Sequence, residues 1–323
     1  MRRKVKLFTL IVLVALMAVY GSGCFFLDFL FGSEEEPKEP TPEEEEIERE
    51  EEKEPLNDED ERETTFYLLE NDSGKLVRTE SNIPWVEGIA QETLTKMVRD
   101  DENLDYWGNY HLEPVIPSGT EVKGMTIDDD GSARVNFTEE FMDYQGDKAQ
   151  MIDSVVYTLT EFEAIDGVEF MIDGEPLSEL PESIDAITAN DVIDRMGINA
   201  EVPVVADDGV PITLYYISEK DGNTFYVPIT RMVSETDEIE GEALAELIRG
   251  PDEDSNLESF VSPEIQLNEI DFDNESLTID VSNITTEEGR EEEAAKQIIY
   301  TLGEFDMVQS VELTIDGEKT DFL

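Results

Sequence analysis

The residues able to do chemistry are one histidine, one cysteine and 81 Asp or Glu side chains. His111 stands in Tyr110-His111-Leu112 without a second histidine or a nearby thiol to complete a metal set, and reads as a surface or capping residue. No serine occupies a nucleophile elbow, and no glycine-rich loop could cradle a phosphate. Carboxylates alone can cleave glycans, since that reaction needs two carboxyl groups about 5–10 Å apart. With so many acids present, however, spacing singles out no pair. Two acidic turns, Asp128-Asp129-Asp130-Gly131 and Asp273-Asn274-Glu275, could ligate calcium, but short polar side chains bonding their own backbone explain them more simply. The expectation is a chain with no catalytic residue, no metal and no cofactor.

Cys24 points to a different chemistry. Arg2, Arg3, Lys4 and Lys6 precede an apolar run from Leu7 to Tyr20 and the small residues Gly21-Ser22-Gly23, the layout of an export signal. As a helix the apolar run spans roughly 20 Å at about 1.5 Å per residue, short of a hydrocarbon core of about 30 Å. The place of Cys24 directly after the small residues resembles the lipobox of bacterial lipoproteins, which implies cleavage before Cys24 and diacylglycerol on its sulfur. An uncleaved anchor running on through Phe25-Phe26-Leu27 and Phe29-Leu30-Phe31 is the alternative. Both readings tether the protein to the membrane and put it on the outer, extracytoplasmic face, where two or more acyl chains supply a hold that one does not.

The formal charge is -59, from 81 acids against 22 Lys or Arg, so nucleic acid would be repelled at any contact. From Glu34 to Glu63 the chain is nearly all Glu interrupted by Pro37, Pro40, Pro42 and Pro55, with 18 acids against 4 bases. Such a stretch cannot bury enough apolar surface to order itself and is expected to be an extended tether. Most of the acidity nevertheless falls on residues 64–323, which suits a surface adapted to high salt.

The elements that would have to position any site are written twice. Val155-Val156-Tyr157-Thr158-Leu159-Thr160-Glu161-Phe162 returns 143 residues later as Ile298-Ile299-Tyr300-Thr301-Leu302-Gly303-Glu304-Phe305. Apolar residues three and four apart make each a core-facing helix, followed at once by a strand, Val168 to Ile172 and Val311 to Ile315. Upstream, Asn71-Asp72-Ser73-Gly74 and Asp221-Gly222-Asn223 turn two β-hairpins, with Tyr67 aligned to Tyr215. A helix follows each hairpin, on Val86, Ile89, Leu94, Met97 and Val98 and on Ile239, Ala243, Leu244, Leu247 and Ile248. A strand pair then precedes the repeated helix. Each copy thus reads hairpin, helix, strand, strand, helix, strand, an α+β fold in which two helices cover one face of a small sheet. The predicted organisation is a signal over 1–23, lipidated Cys24 and a disordered acidic linker over 24–63, a first domain over 64–177, an extension and linker over 178–210, and a second domain over 211–323. Thr188 and Asn190 are candidate caps of a short helix through Ile193 and Met196 in the linker.

The order FYLLENDSGKLV, IPSGTEV, ARVNF, YTLTEF and FMIDGE, answered by LYYISEKDGNTFYVP, LIRGP, LTIDV, YTLGEF and LTIDGE, resembles the GerM domain family. The resemblance covers about residues 64–175 and 212–323. It implies two tandem two-layer α/β sandwiches similar to the ring-building motifs of secretion systems. It also implies a role in sporulation or germination, in assembling envelope protein complexes without catalysis. Expected partners are the membrane through lipidated Cys24 and envelope or sporulation-complex proteins. Peptidoglycan is a further candidate, since a lipoprotein that binds or cleaves the cell wall is the competing reading. The loop Ile116, Pro117, Ser118, Gly119 and Thr120, matched only by Pro263 in the second copy, is the candidate interaction loop.

Overall fold

The computed structural model describes residues 61–177, 192–195, 197–201, 209–273, 276–305, 307–308, 310–320 and 322. The signal, Cys24 and nearly all of the acidic linker, like the capping residues Thr188 and Asn190, lie outside them. Among the described residues no helix is long and apolar enough to cross a membrane.

The first copy opens with strands β1 (Glu61–Glu70) and β2 (Leu76–Pro84), followed by helices α1 (Ile89–Thr95) and α2 (Asp101–Gly108) and strands β3 (Leu112–Glu113), β4 (Val122–Ile127) and β5 (Ser132–Phe137). A short 3-10 turn, helix α3 (Lys148–Leu159) and strands β6 (Gly167–Ile172) and β7 (Glu175–Pro176) complete it. The second copy contains β8 (Val210–Lys220), β9 (Asn223–Val233), α4 (Ile239–Arg249), β10 (Gln266–Asp273), β11 (Ser276–Ser282), α5 (Glu291–Gly303), β12 (Ser310–Ile315) and β13 (Glu318–Lys319).

In each copy the expected helix-strand-strand-helix-strand order forms a small mixed sheet, β4-β5-β6-β7 in the first and β10-β11-β12-β13 in the second. The inner pairs β5 with β6 and β11 with β12 run parallel, as the crossover through α3 or α5 demands. Ile152, Val155, Val156 and Leu159 of α3 are buried with Ala133, Val135, Phe137, Val168 and Phe170. Ala295, Ile298, Ile299 and Leu302 of α5 are buried with Leu277, Ile279, Val281 and Leu313. Asp147 caps α3 by accepting from the Ala149 N–H at 2.9 Å, and Glu291, Glu292 and Glu293 meet the positive end of α5.

Four details depart from the sequence reading. First, the hairpins do not join their own copies' sheets. They pair with each other, through an antiparallel bridge between Arg78 of β2 and Tyr226 of β9, into a shared five-stranded sheet β3-β1-β2-β9-β8. Each long helix is therefore packed against its own small sheet and also against a hairpin strand. Second, β1 begins at Glu61, inside the stretch read as linker, because pairing with β2 as far as Pro84 compensates its charged residues. Third, the first helix of copy one stops at Thr95. Met97 and Arg99 instead bond to Ile116, in an isolated parallel bridge that pairs Val98 with Ile116, and Asp100 starts α2 by accepting from the Asn103 N–H at 2.8 Å. Fourth, Ile193 is not helical: its N–H and C=O bond Val168 at 2.9 and 2.8 Å in an isolated antiparallel bridge.

The repeated helix has a polar duty as well as an apolar one. The Tyr67 N–H donates to Thr158 Oγ1 at 2.9 Å and its C=O accepts from Ser154 Oγ. In the second copy the Tyr215 N–H donates to Thr301 Oγ1 at 3.0 Å and its C=O accepts from Gln297 Nε2 at 2.8 Å. Backbone groups on the outer side of a hairpin would otherwise be buried unpaired. Thr158→Val or Thr301→Val keeps the shape and orphans one of these N–H groups, so each is expected to cost about 1–3 kcal/mol in urea unfolding of the full chain, while Thr→Ser costs less.

Candidate functional site

The most elaborate polar structure among the described residues lies where the two copies meet. Tyr67 of β1 and Tyr215 of β8, aligned in the repeat, place their hydroxyl oxygens 2.7 Å apart. Glu161 and Glu304, each just past the end of a repeated helix, sit beside them: Tyr67 Oη is 3.0 Å from Glu161 Oε1, and Tyr215 Oη donates to Glu304 Oε1 at 2.6 Å. Two phenolic protons serve three contacts, so the proton of Tyr67 is shared between Tyr215 and Glu161.

The cation that balances these carboxylates comes from the connector. Arg195 donates from Nη2 to Glu161 Oε1 at 2.6 Å and from Nη1 to Glu304 Oε1 at 2.7 Å. Its Nε donates to Thr160 Oγ1 at 2.8 Å, and its guanidinium stacks 4.9 Å from the centre of the Tyr157 ring. A second cation, Arg78, reaches Glu161 Oε2 at 3.3 Å and lies 4.2 Å from the centre of the Tyr300 ring. Two carboxylates and two guanidiniums thus neutralise each other inside the junction.

Burial pushes the Glu161 carboxyl up, but Arg195 and Arg78 outweigh it and hold the group below the usual carboxylate range. Burial also pulls on Arg195, and Glu304, Tyr67 and Glu161 more than reverse it. Tyr67 and Tyr215 are pushed well up, first by burial and then by the neighbouring carboxylates, and stay neutral donors. A glycan-cleaving pair needs one carboxyl held protonated as general acid. Glu161, kept ionised, is unsuited to that part. The carboxyl driven the other way is Asp153 on α3, pushed up to about 8 by burial and by Asp147.

The connector makes a second clasp at Asn199, which adopts a left-handed φ of 47°. Its Oδ1 accepts from the Leu76 N–H at 3.0 Å, and its Nδ2 donates to the carbonyls of Leu76 and Pro228, both at 2.8 Å. One side chain thereby bridges β2 and β9. At the hairpin turns Lys220 Nζ lies 2.6 Å from Asp72 Oδ2, another aligned pair in contact. Contact between equivalent residues is the mark of a self-complementary interface, here made between two halves of one chain.

The candidate interaction loop is mostly buried. Ile116, Pro117 and Thr120 are buried, and Ile116 is bonded through its N–H to Met97 and through its C=O to Arg99. Only Ser118 and Gly119 face solvent, with Gly119 at a φ of 83° that a side chain rarely adopts. The structure does not bring this loop to the junction. His111 is a surface residue whose Nε2 lies 3.4 Å from Asp221 Oδ2 of the other hairpin turn. In the acidic turn before β5, Asp130 Oδ1 accepts from the Ser132 N–H at 3.2 Å, an Asx-type bond. Cys24 lies outside the described residues. Sequence reasoning missed Arg78, Glu161, Arg195, Asn199 and Glu304. A signal existed for Glu161 and Glu304, an acid at the same place in both copies of an otherwise apolar stretch, but none for the connector residues.

Arg195→Met leaves two carboxylates without their shared cation and is expected to cost about 3–5 kcal/mol at pH 7 in urea unfolding. In the wild type, the contribution of Glu161 is present above the unfolded carboxylate value of about 4.3 and is lost as pH falls through the depressed folded value. Asp153 has the opposite sign. Its stabilisation is full below about 4 and lost as pH rises toward 8, so Asp153→Asn is expected to raise the melting temperature at pH 8 and leave it unchanged at pH 4.

Comparison with known proteins agrees with this two-part body. Residues 65–178 and 213–321 each match the germane family, described as sporulation and spore germination. Over 264 residues the chain is 30% identical to the spore germination protein GerM of Bacillus subtilis (strain 168), spanning 78% of this chain and 71% of that protein. The solved tandem GerMN domains of the sporulation protein GerM from Bacillus subtilis align at a TM-score of 0.68 and 27% identity, covering 81% of this chain and 93% of theirs. Matched in both copies, and over most of its length by a protein with the same tandem arrangement, the chain belongs to the GerM family, a protein of two GerMN domains linked to sporulation and spore germination.

Proposed function

We propose that this protein is a membrane-anchored, extracytoplasmic assembly factor of sporulation, lipidated at Cys24, that holds envelope proteins together without catalysing a reaction. The observation that carries this reading is the junction. Its reactive side chains, Tyr67, Tyr215, Glu161, Glu304 and Arg195, are consumed in bonding the copies to each other. A pair of domains locked in this way offers partners a body of fixed geometry, with outer sheet edges β4 and β10 available for contact. The acidic stretch after Cys24 would hold that body away from the bilayer, since like charges extend the chain.

A fluorescent fusion that keeps the N-terminal segment and Cys24 is expected to concentrate around the forespore membrane in sporulating cells. Cys24→Ala is expected to move most of the protein out of the membrane fraction. A uniform envelope signal in growing cells, with sedimentation on purified peptidoglycan, would overturn the assembly role in favour of cell-wall binding.

A further inference from the structure

The second domain leaves one sheet edge unfinished. β10 is the outer strand of β10-β11-β12-β13, and among the described residues no strand pairs with its far side. Leu267, Ile270 and Phe272 pair with Val281, Ile279 and Leu277 of β11, and cross-strand partners share a face. Those three partners are buried beneath the helices, whereas Leu267, Ile270 and Phe272 are 45%, 45% and 46% exposed. The apolar face of the sheet therefore runs on past its cover. In the first domain the matching strand is covered over its first half: Val122 and Met125 of β4 are half-buried, Gln91 of α1 donates to the Val122 carbonyl at 3.0 Å, and Ile127 at the end of the strand is 45% exposed. An open edge strand with an exposed apolar row is a template for another strand, and most proteins blunt it. Here the one blunting device in the strand pairing is a bulge between Leu267 and Glu269, which leaves Glu269 to Asp273 in regular register.

Charge decides what can occupy the edge. Glu269 and Asp271 alternate with the apolar residues and point to the opposite face. A second molecule of this chain pairing there would bring these acids against their own copies, in a protein that already carries -59. Resting on the assembly role proposed above, we propose that the β10 edge of the second domain is its docking site, and that it takes a strand of a partner protein in which apolar residues alternate with Lys or Arg. Backbone pairing would supply affinity, Ile270 and Phe272 the apolar anchors, and Glu269 and Asp271 the selection for a basic strand.

The first test uses the full-length protein in detergent and a labelled short peptide of alternating lysine and valine, read by fluorescence anisotropy. Controls are a glutamate–valine peptide, a blocked-order peptide of the same composition, and a lysine–valine peptide N-methylated at every second residue. Saturable binding of the alternating lysine peptide alone is expected. It should weaken about tenfold or more when Ile270→Ser and Phe272→Ser are combined, with the urea midpoint unchanged. Glu269→Lys with Asp271→Lys should invert the preference toward the glutamate peptide. Equal binding of the blocked-order or N-methylated peptide, or indifference to these variants, overturns the proposal. So does self-association of the wild type that the serine pair abolishes, which would make the occupant a second molecule. In sporulating cells, cross-linking capture of envelope proteins that the serine pair loses supports the site. Capture by both forms overturns the site and leaves the assembly role standing; capture by neither overturns both.

Discussion

Two half-buried carboxylates between domains need a cation within reach, and the arrangement of this protein depends on Arg195 providing it. Glu161 and Glu304 end equivalent helices and point at the same spot, so without Arg195 and Arg78 the closure of the two domains would bury repelling charges. With the guanidiniums in place, the desolvation cost is met by short, charge-assisted hydrogen bonds and by stacking on Tyr157 and Tyr300. The partner groups come from both copies and the connector, so the junction closes only when all three are folded together. Removing one member leaves the rest unpaired in a low-dielectric site, a stronger constraint than apolar contact alone would impose.

The repeated helix is written as it is because of that junction. Its apolar positions serve the small sheet, as in any amphipathic helix, but Ser154, Thr158, Gln297 and Thr301 are buried polar residues on the side facing the hairpin. They complete the backbone of Tyr67 and Tyr215 and so fix where the two phenols stand. Helix, hairpin and junction are links of one chain of hydrogen bonds. The hairpins in turn find their sheet partners in each other, which leaves the small sheets of each domain with outer edges still free to differ.

Those edges differ in how far they are covered. The first copy invests its extra helix α2 and the loop from Ile116 to Thr120 in closing its own core, with Trp107 and Ile116 fully packed. The second copy has no counterpart of α2 among the described residues, and Leu267, Ile270 and Phe272 of its β10 are exposed.

Much of this was legible in the sequence. Period-3.6 and period-2 patterns, doubled at equivalent positions, determined the shared helix-strand-strand-helix-strand order of the copies, the core faces of α3 and α5 and the family resemblance, though not α2 or β3. Acid-rich composition and lone Cys24 and His111 determined which chemistries had no residues to carry them. What pairs with what across the repeat was decided by the tertiary structure. Nothing in Tyr67 and Tyr215 says that two equivalent tyrosines will touch, and Arg195 and Asn199 sit in a segment that reads as linker. A strand's pattern specifies its buried face but not its neighbour, so the hairpins' departure from their own sheets, and the bare edge of β10, emerge only when three-dimensional closure assigns each edge a partner or leaves it without one.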